Sequence, residues 1–123
     1  MQNGVPERPI DPAAVAAAEQ NMLSARDERR MRQLLEALCD PTRVKIVQAL
    51  TDTTLAAGDL AHVIGRSRSA TSQHLKVLRD LGAVVASRNG NVVRYSVATG
   101  LTGTVVANAV AAFQDLRNST SGD

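Results

Sequence analysis

Arg68, Ser69, Ser72, Gln73 and Lys76 are the side chains here whose types and spacing best suit chemistry, and that chemistry is recognition rather than bond-breaking. Each helical residue turns about 100°, so these spacings put all five on one helix face. Over residues 68–81, Arg79 and Asp80 join them within an arc of roughly 140°. Ala70, Thr71, Leu75, Val77, Leu78 and Leu81 fall on the other side, with His74 among them. Arg can donate two hydrogen bonds to guanine, Gln can pair with adenine, and Ser serves as donor or acceptor, which matches the base edges of a major groove. Arg66 and Ser67 stand at the N-terminal end of this helix, where backbone N–H groups favour a phosphate. Alone, such a face would be an ordinary solvated one, so its neighbours decide the reading. His74, on the apolar side, is expected to pack and to hydrogen-bond locally.

The elements on either side fit DNA reading. Upstream, DLAHVIG is a short helix opened by Gly58-Asp59 and ended by Gly65, and Ser67 caps the next helix. Downstream, Val84 to Arg88 and Val92 to Val97 alternate in β-branched residues and form two strands. Asn89-Gly90 between them suits a two-residue type I′ turn. That turn would pair Arg88 with Asn91, Ala86 with Val93 and Val84 with Tyr95. One face, Val84, Ala86, Val93 and Tyr95, is then fit to lie on the domain, and Arg88 and Asn91 sit at the tip. An Arg on a thin projecting hairpin suits a minor groove or its phosphates. Between Arg66 and Arg94 six basic residues face one acid, Asp80, giving +5 in a chain whose total is +2. The remainder therefore sums to −3, and positive charge is concentrated where a polyanion would be met.

The remaining elements frame this segment. Asp11-Pro12 and Asp40-Pro41 are helix starts, an acceptor at the N-cap followed by proline at the first helical position. Ser24 with Asp27 could restart the first helix, so residues 12–38 are one helix or two. Met31, Leu34, Leu35 and Leu38 share a face of it. Val44, Ile46, Val47 and Leu50 make a buried helix, and Leu55 to Ala57 is a short extended piece. After Gly100, Val106, Ala109, Val110, Phe113 and Leu116 line one stripe of a last helix. Residues 1–10 and 118–123 are expected to be flexible tails around one domain, 11–117.

Composition excludes several classes. Cys39 is the only cysteine among 123 residues, so an intrachain disulfide is impossible, and a buried structural thiol is the default for it. A Gly-rich phosphate loop and a plausible Cys–His pair are both missing, and there are two histidines, which argues against an enzyme. No apolar run approaches the ~18 residues of a membrane helix, and the start of the chain does not read as a signal peptide. A cytoplasmic protein without cofactor is expected.

LCDPTRVKIVQAL at Leu38–Leu50, DLAHVIGRSRSATSQHLKVLRDLGAVV at Asp59–Val85 and RNGNVVRYSV at Arg88–Val97 together resemble the ArsR/SmtB family of winged helix-turn-helix repressors. The resemblance covers roughly residues 30–117. It implies a mainly α fold with a small β-hairpin, a recognition helix at 68–81 and a wing at 84–97. It also implies double-stranded DNA as partner, an inverted-repeat operator, and a homodimer joined through the N- and C-terminal helices (about 12–38 and 101–117). The residue stripes support the dimer, with Met31, Leu35, Leu38, Val106, Val110, Phe113 and Leu116 at the seam. DNA contacts are expected from Arg66, Ser67, Arg68, Ser69, Ser72, Gln73, Lys76, Arg88 and Asn91. Many relatives sense metals, but Ala56, Ala57 and Gly58 stand where a Cys pair would be, and the last helix has no His. No metal site is therefore expected. A small-molecule or redox effector stays open. The alternatives are a protein-interaction winged helix or a thiol-responsive regulator using Cys39.

Overall fold

The computed structural model describes residues 8–121. Residues 1–7 of the expected N-terminal tail and 122–123 of the C-terminal one lie outside the described residues. Residues 118–121, expected in that second tail, continue the last helix instead. The chain divides into two compact units between Met31 and Arg32.

The first unit holds α1 (Pro12–Glu19) and the start of α2 (Ala25–Leu38). Asp11 caps α1, its carboxylate accepting the Ala14 N–H at 3.0 Å, and Pro12 occupies a position that needs no donor. Ser24 restarts the chain as α2: its Oγ accepts the Asp27 N–H at 3.1 Å. Residues 12–38 are thus two helices. No residue of α1 is buried.

The second unit carries the end of α2, α3 (Pro41–Ala49), α4 (Ala57–Ile64), α5 (Arg68–Asp80), the strands β1 (Val84–Asn89) and β2 (Val92–Val97), and α6 (Leu101–Ser121). Its core gathers Leu34 of α2, Ile46 and Val47 of α3, Leu60 and Ile64 of α4, Leu75 and Leu78 of α5, Val84 of β1, and Val106 and Val110 of α6. Full burial of each large aliphatic side chain contributes about 1.5–3 kcal/mol. Val106 and Val110, expected at a subunit seam, lie inside this core at 1 % exposure each. The stripe on α6 divides there, since Phe113 and Leu116 are 49 % and 65 % exposed. Near its start α6 passes so close to Ala98 that a Cβ on Gly103 would overlap the Ala98 carbonyl.

Two boundaries differ from the sequence reading. α4 begins at Ala57, ahead of Gly58-Asp59, with Ala56 as an N-cap that makes no side-chain bond. The Ala56 carbonyl accepts the Leu60 N–H at 2.9 Å, so the helix is entered by backbone alone. Just before it, Leu55 makes an isolated bridge to Tyr95 of β2. The hairpin is antiparallel and pairs Asn89 with Val92, Arg88 with Val93, Ala86 with Tyr95 and Val84 with Val97. The two-residue turn is therefore Gly90-Asn91, and the expected Arg88–Asn91, Ala86–Val93 and Val84–Tyr95 pairs do not form. Gly90 has φ +66° and no described non-glycine residue has positive φ, which excludes type I′ and fits type II′, where only the first central residue needs it.

Candidate nucleic-acid interface

The turn between α4 and α5 is held by local hydrogen bonds. Gly65 ends α4 in the left-handed region at φ +70°, a conformation costly for other residues. Ser67 Oγ accepts the Ala70 N–H at 3.1 Å and lies 3.4 Å from Ser69 Oγ. Thr71, fully buried, satisfies its hydroxyl by donating to the Ser67 carbonyl at 2.8 Å. Anchored this way, α5 buries Thr71, Leu75 and Leu78 and leaves Arg68, Ser69, Ser72, Gln73 and Lys76 exposed, while Val77, expected on the packed side, is exposed as well. Arg66, Ser67, Arg88 and Asn91 are exposed as well.

The expected contact residues do not form one uniform face. Arg68, Ser72 and Asn91 line a cleft of about 410 Å³ between α5 and the hairpin, floored by Ala56, Ala57, Val93 and Tyr95. Lys76 is turned along the helix to Asp80, Nζ to Oδ2 at 3.0 Å, with both side chains mostly exposed. Such a surface pair is worth little, so a phosphate can compete for the ammonium. Arg88 lies one pair further from the turn than the type I′ register would put it.

Behind the reading face is a polar junction that the sequence reading missed. Arg43 Nε donates to the Ala37 carbonyl at 2.7 Å and Nη2 to the Glu36 carbonyl at 3.4 Å, covering the end of α2. Its Nη1 lies 3.4 Å from His74 Nδ1 on α5 and 3.7 Å from Asp40 Oδ2. Asp40 caps α3 by accepting the Thr42 N–H at 2.8 Å, and His74 Nδ1 is 3.7 Å from its Oδ2. The Thr42 N–H, and then the charges of His74 and Arg43, hold the Asp40 carboxyl below its usual range, against an opposing effect of desolvation. The Asp40-Pro41 cap was legible in the sequence. Its contact with His74, 34 positions away, had no local signal.

Cys39 is exposed, contrary to the expectation of a buried thiol. It lies on an apolar cleft of about 340 Å³ with Leu38, Pro41, Val44 and Phe113, which brings the end of α2 and the side of α6 together. Among the described residues no group of three His, Cys, Asp or Glu side chains could hold a metal ion. No described helix is long and apolar enough to cross a membrane.

Comparison with known proteins gives these features a family. Residues 40–85, from the Asp40 cap through α5 to the first strand, match the profile described as bacterial regulatory protein, arsR family. The transcriptional repressor SdpR of Bacillus subtilis is 33 % identical over 69 residues, which cover 56 % of this chain and 77 % of SdpR. The chain belongs to the arsR family. The HTH-type transcriptional regulator CmtR of Mycobacterium tuberculosis is 45 % identical over 71 residues, 58 % of this chain, and the match spans 60 % of CmtR's length. Among solved structures, a possible ArsR-family regulator from Mycobacterium bovis, described as a homodimeric winged helix-turn-helix DNA-binding domain, superposes with a TM-score of 0.64. It is 23 % identical, over 81 % of this chain and 92 % of that one. The fold of this arsR-family chain is accordingly a winged helix-turn-helix, with α5 as second helix and β1–β2 as wing.

Proposed function

We propose that this protein is a sequence-specific, double-stranded-DNA-binding transcriptional regulator, acting in the cytoplasm as a homodimeric repressor on an inverted repeat. One observation carries the reading: the polar, basic arc of α5 is exposed beside an exposed wing tip, within the segment that holds +5 of the charge. Arg68, Ser69, Ser72 and Gln73 read base edges in the major groove. Arg66 and Ser67 meet a phosphate at the α5 N-terminus, Lys76 meets one about two turns further along, and Arg88 and Asn91 reach the minor groove. Similarity to SdpR, a transcriptional repressor, and to CmtR, an HTH-type transcriptional regulator, supports the same assignment.

Exposed Leu35, Phe113 and Leu116, with half-buried Leu38, support a subunit seam on α2 and α6. Met31, exposed on α2, belongs to the expected set, whereas Val106 and Val110 contribute to it only through the core beneath. Two reading helices on a two-fold axis would address half-sites about 34 Å apart.

Binding to duplex DNA from the promoter of its own coding region tests the reading. Log affinity should fall with log salt at about 0.9 per phosphate contact. A flat dependence, or no binding at low salt, rejects it and favours a protein-interaction module. Exposure of Cys39 favours a thiol response as a second layer. A Cys39→Ala variant that still releases DNA on oxidation rejects that layer.

A further inference from the structure

The wing and the reading helix are joined at one aromatic side chain. The guanidinium of Arg79, in the last turn of α5, stands over the ring of Tyr95 with its carbon 5.9 Å from the centroid. That is within the range where a cation is drawn to a ring face. Tyr95 is fixed by its backbone on both strand edges. It pairs with Ala86 of β1, its N–H donates to the Leu55 carbonyl at 2.8 Å, and its carbonyl accepts the Leu55 N–H at 3.1 Å. Half-buried, it also packs against the core and lines the cleft that holds Arg68 and Ser72. Arg68 and Arg79 lie about 20° apart around α5, so Arg79 occupies the helix edge that borders the wing rather than the middle of the reading arc.

A two-stranded ribbon is barely stable by itself, and its direction must be set by what it leans on. We propose that Arg79 and Tyr95 are positioning residues. Their stack fixes the angle between wing and reading helix so that Arg88 and Gln73 engage one duplex together, and Arg79 makes no contact with DNA itself. This rests on the DNA-binding reading above. The sequence pattern alone grouped Arg79 with the base-reading side chains, and the contact with Tyr95 separates it from them.

The test is a double-mutant cycle in the full chain, read by binding to a mixed-sequence DNA duplex over a range of salt. Arg79→Ala should weaken binding about three- to five-fold, the effect of one exposed cation–π contact. In an Arg88→Ala background the same change should cost less than in the native chain and should leave the salt slope where Arg88→Ala alone puts it, because the stack then has only Asn91 left to position. A further fall of about one in that slope, or a fully additive loss, would show that Arg79 touches phosphate and overturns the proposal; unchanged affinity in Arg79→Ala overturns it too. Tyr95→Phe should bind like the native chain, and Tyr95→Leu should match Arg79→Ala. A second measurement needs no DNA. Tyr95 is the only tyrosine and the chain has no tryptophan, so intrinsic fluorescence reports this ring alone. Arg79→Ala should increase its quenching by acrylamide, and unchanged quenching sinks the stack. Failure of the native chain to bind any duplex at low salt defeats the DNA reading, whereas the fluorescence result stands apart from it.

Discussion

Replacing Arg43 by Ala should destabilise the second unit by about 2 kcal/mol, and the contacts of its guanidinium give that figure. The bond from Nε to the Ala37 carbonyl, at 2.7 Å, is short and charge-assisted, a class worth about 1.5–3 kcal/mol. The contacts to the Glu36 carbonyl and His74 at 3.4 Å are long and add little. The pair with Asp40 at 3.7 Å, with side chains 18 % and 31 % exposed, is close to a surface pair and adds at most about 1 kcal/mol. Water reaches part of this junction and can replace some of what is lost, which keeps the total near the lower half of the range. For a domain of this size about 2 kcal/mol lowers the melting temperature by roughly 8–15 °C. Arg43→Lys keeps the charge but loses the planar fork, and should recover about half. Urea unfolding followed by circular dichroism measures both variants. A loss under about 0.5 kcal/mol in Arg43→Ala would refute the claim that this side chain ties the end of α2 to α5, because one charged bond to a carbonyl already exceeds it.

Four further outcomes are expected. Gln73→Ala should relax base preference at one operator position, losing about 1–3 kcal/mol of discrimination in competition binding. Gly103→Ala should cost about 1–3 kcal/mol or shift the start of α6, because its new Cβ would lie 2.6 Å from the Ala98 carbonyl carbon; a native melting temperature contradicts that approach. Asp40 is held below its ordinary range, so its contribution to stability is present above about pH 4 and disappears as pH falls through its lowered value. Asp40→Asn should therefore flatten the acid limb of a stability–pH curve, and an unchanged limb counts against the junction. Cys39 is exposed on the single chain but borders the proposed seam at Leu38 and Phe113, so its alkylation should slow as rising protein concentration drives dimer formation; a concentration-independent rate would contradict the placement of that seam.

The helix starts were legible because each carries its own local chemistry. Asp11, Ser24, Asp40 and Ser67 all accept a backbone N–H at the position their sequence context indicates. The two faces of α5 were legible for the same reason, since periodicity alone sorts Leu75 and Leu78 from Gln73 and Lys76. The hairpin register was not. Asn89-Gly90-Asn91 contains both an Asn-Gly and a Gly-Asn turn, and the two registers leave Val84, Ala86, Val93 and Tyr95 on the same face. Burial therefore cannot choose between them, and the backbone conformation at Asn89 does, since only the Asn89-Gly90 type I′ turn needs positive φ there. Contacts between distant segments were equally silent in the sequence. The start of α4 at Ala57 follows the bridge of Leu55 to Tyr95, and the positions of Arg43 and Arg79 depend on partners far along the chain. Val106 and Val110 show the limit of stripe reading: an apolar stripe announces burial but not whether its own subunit or another covers it.

The type II′ turn also bears on how such a wing can evolve. It closes the ribbon with only Gly90 and Asn91, and the pairs below it do not depend on how many lie above. Adding one residue to each strand at the tip would move the turn outward by about 3.3 Å and swing the terminal side chains to the opposite face, leaving the inner pairs in register. A second such addition would restore the original facing at twice the extension. Reach and orientation are thus adjustable in small discrete steps by paired insertions that leave Tyr95 and the core beneath it untouched.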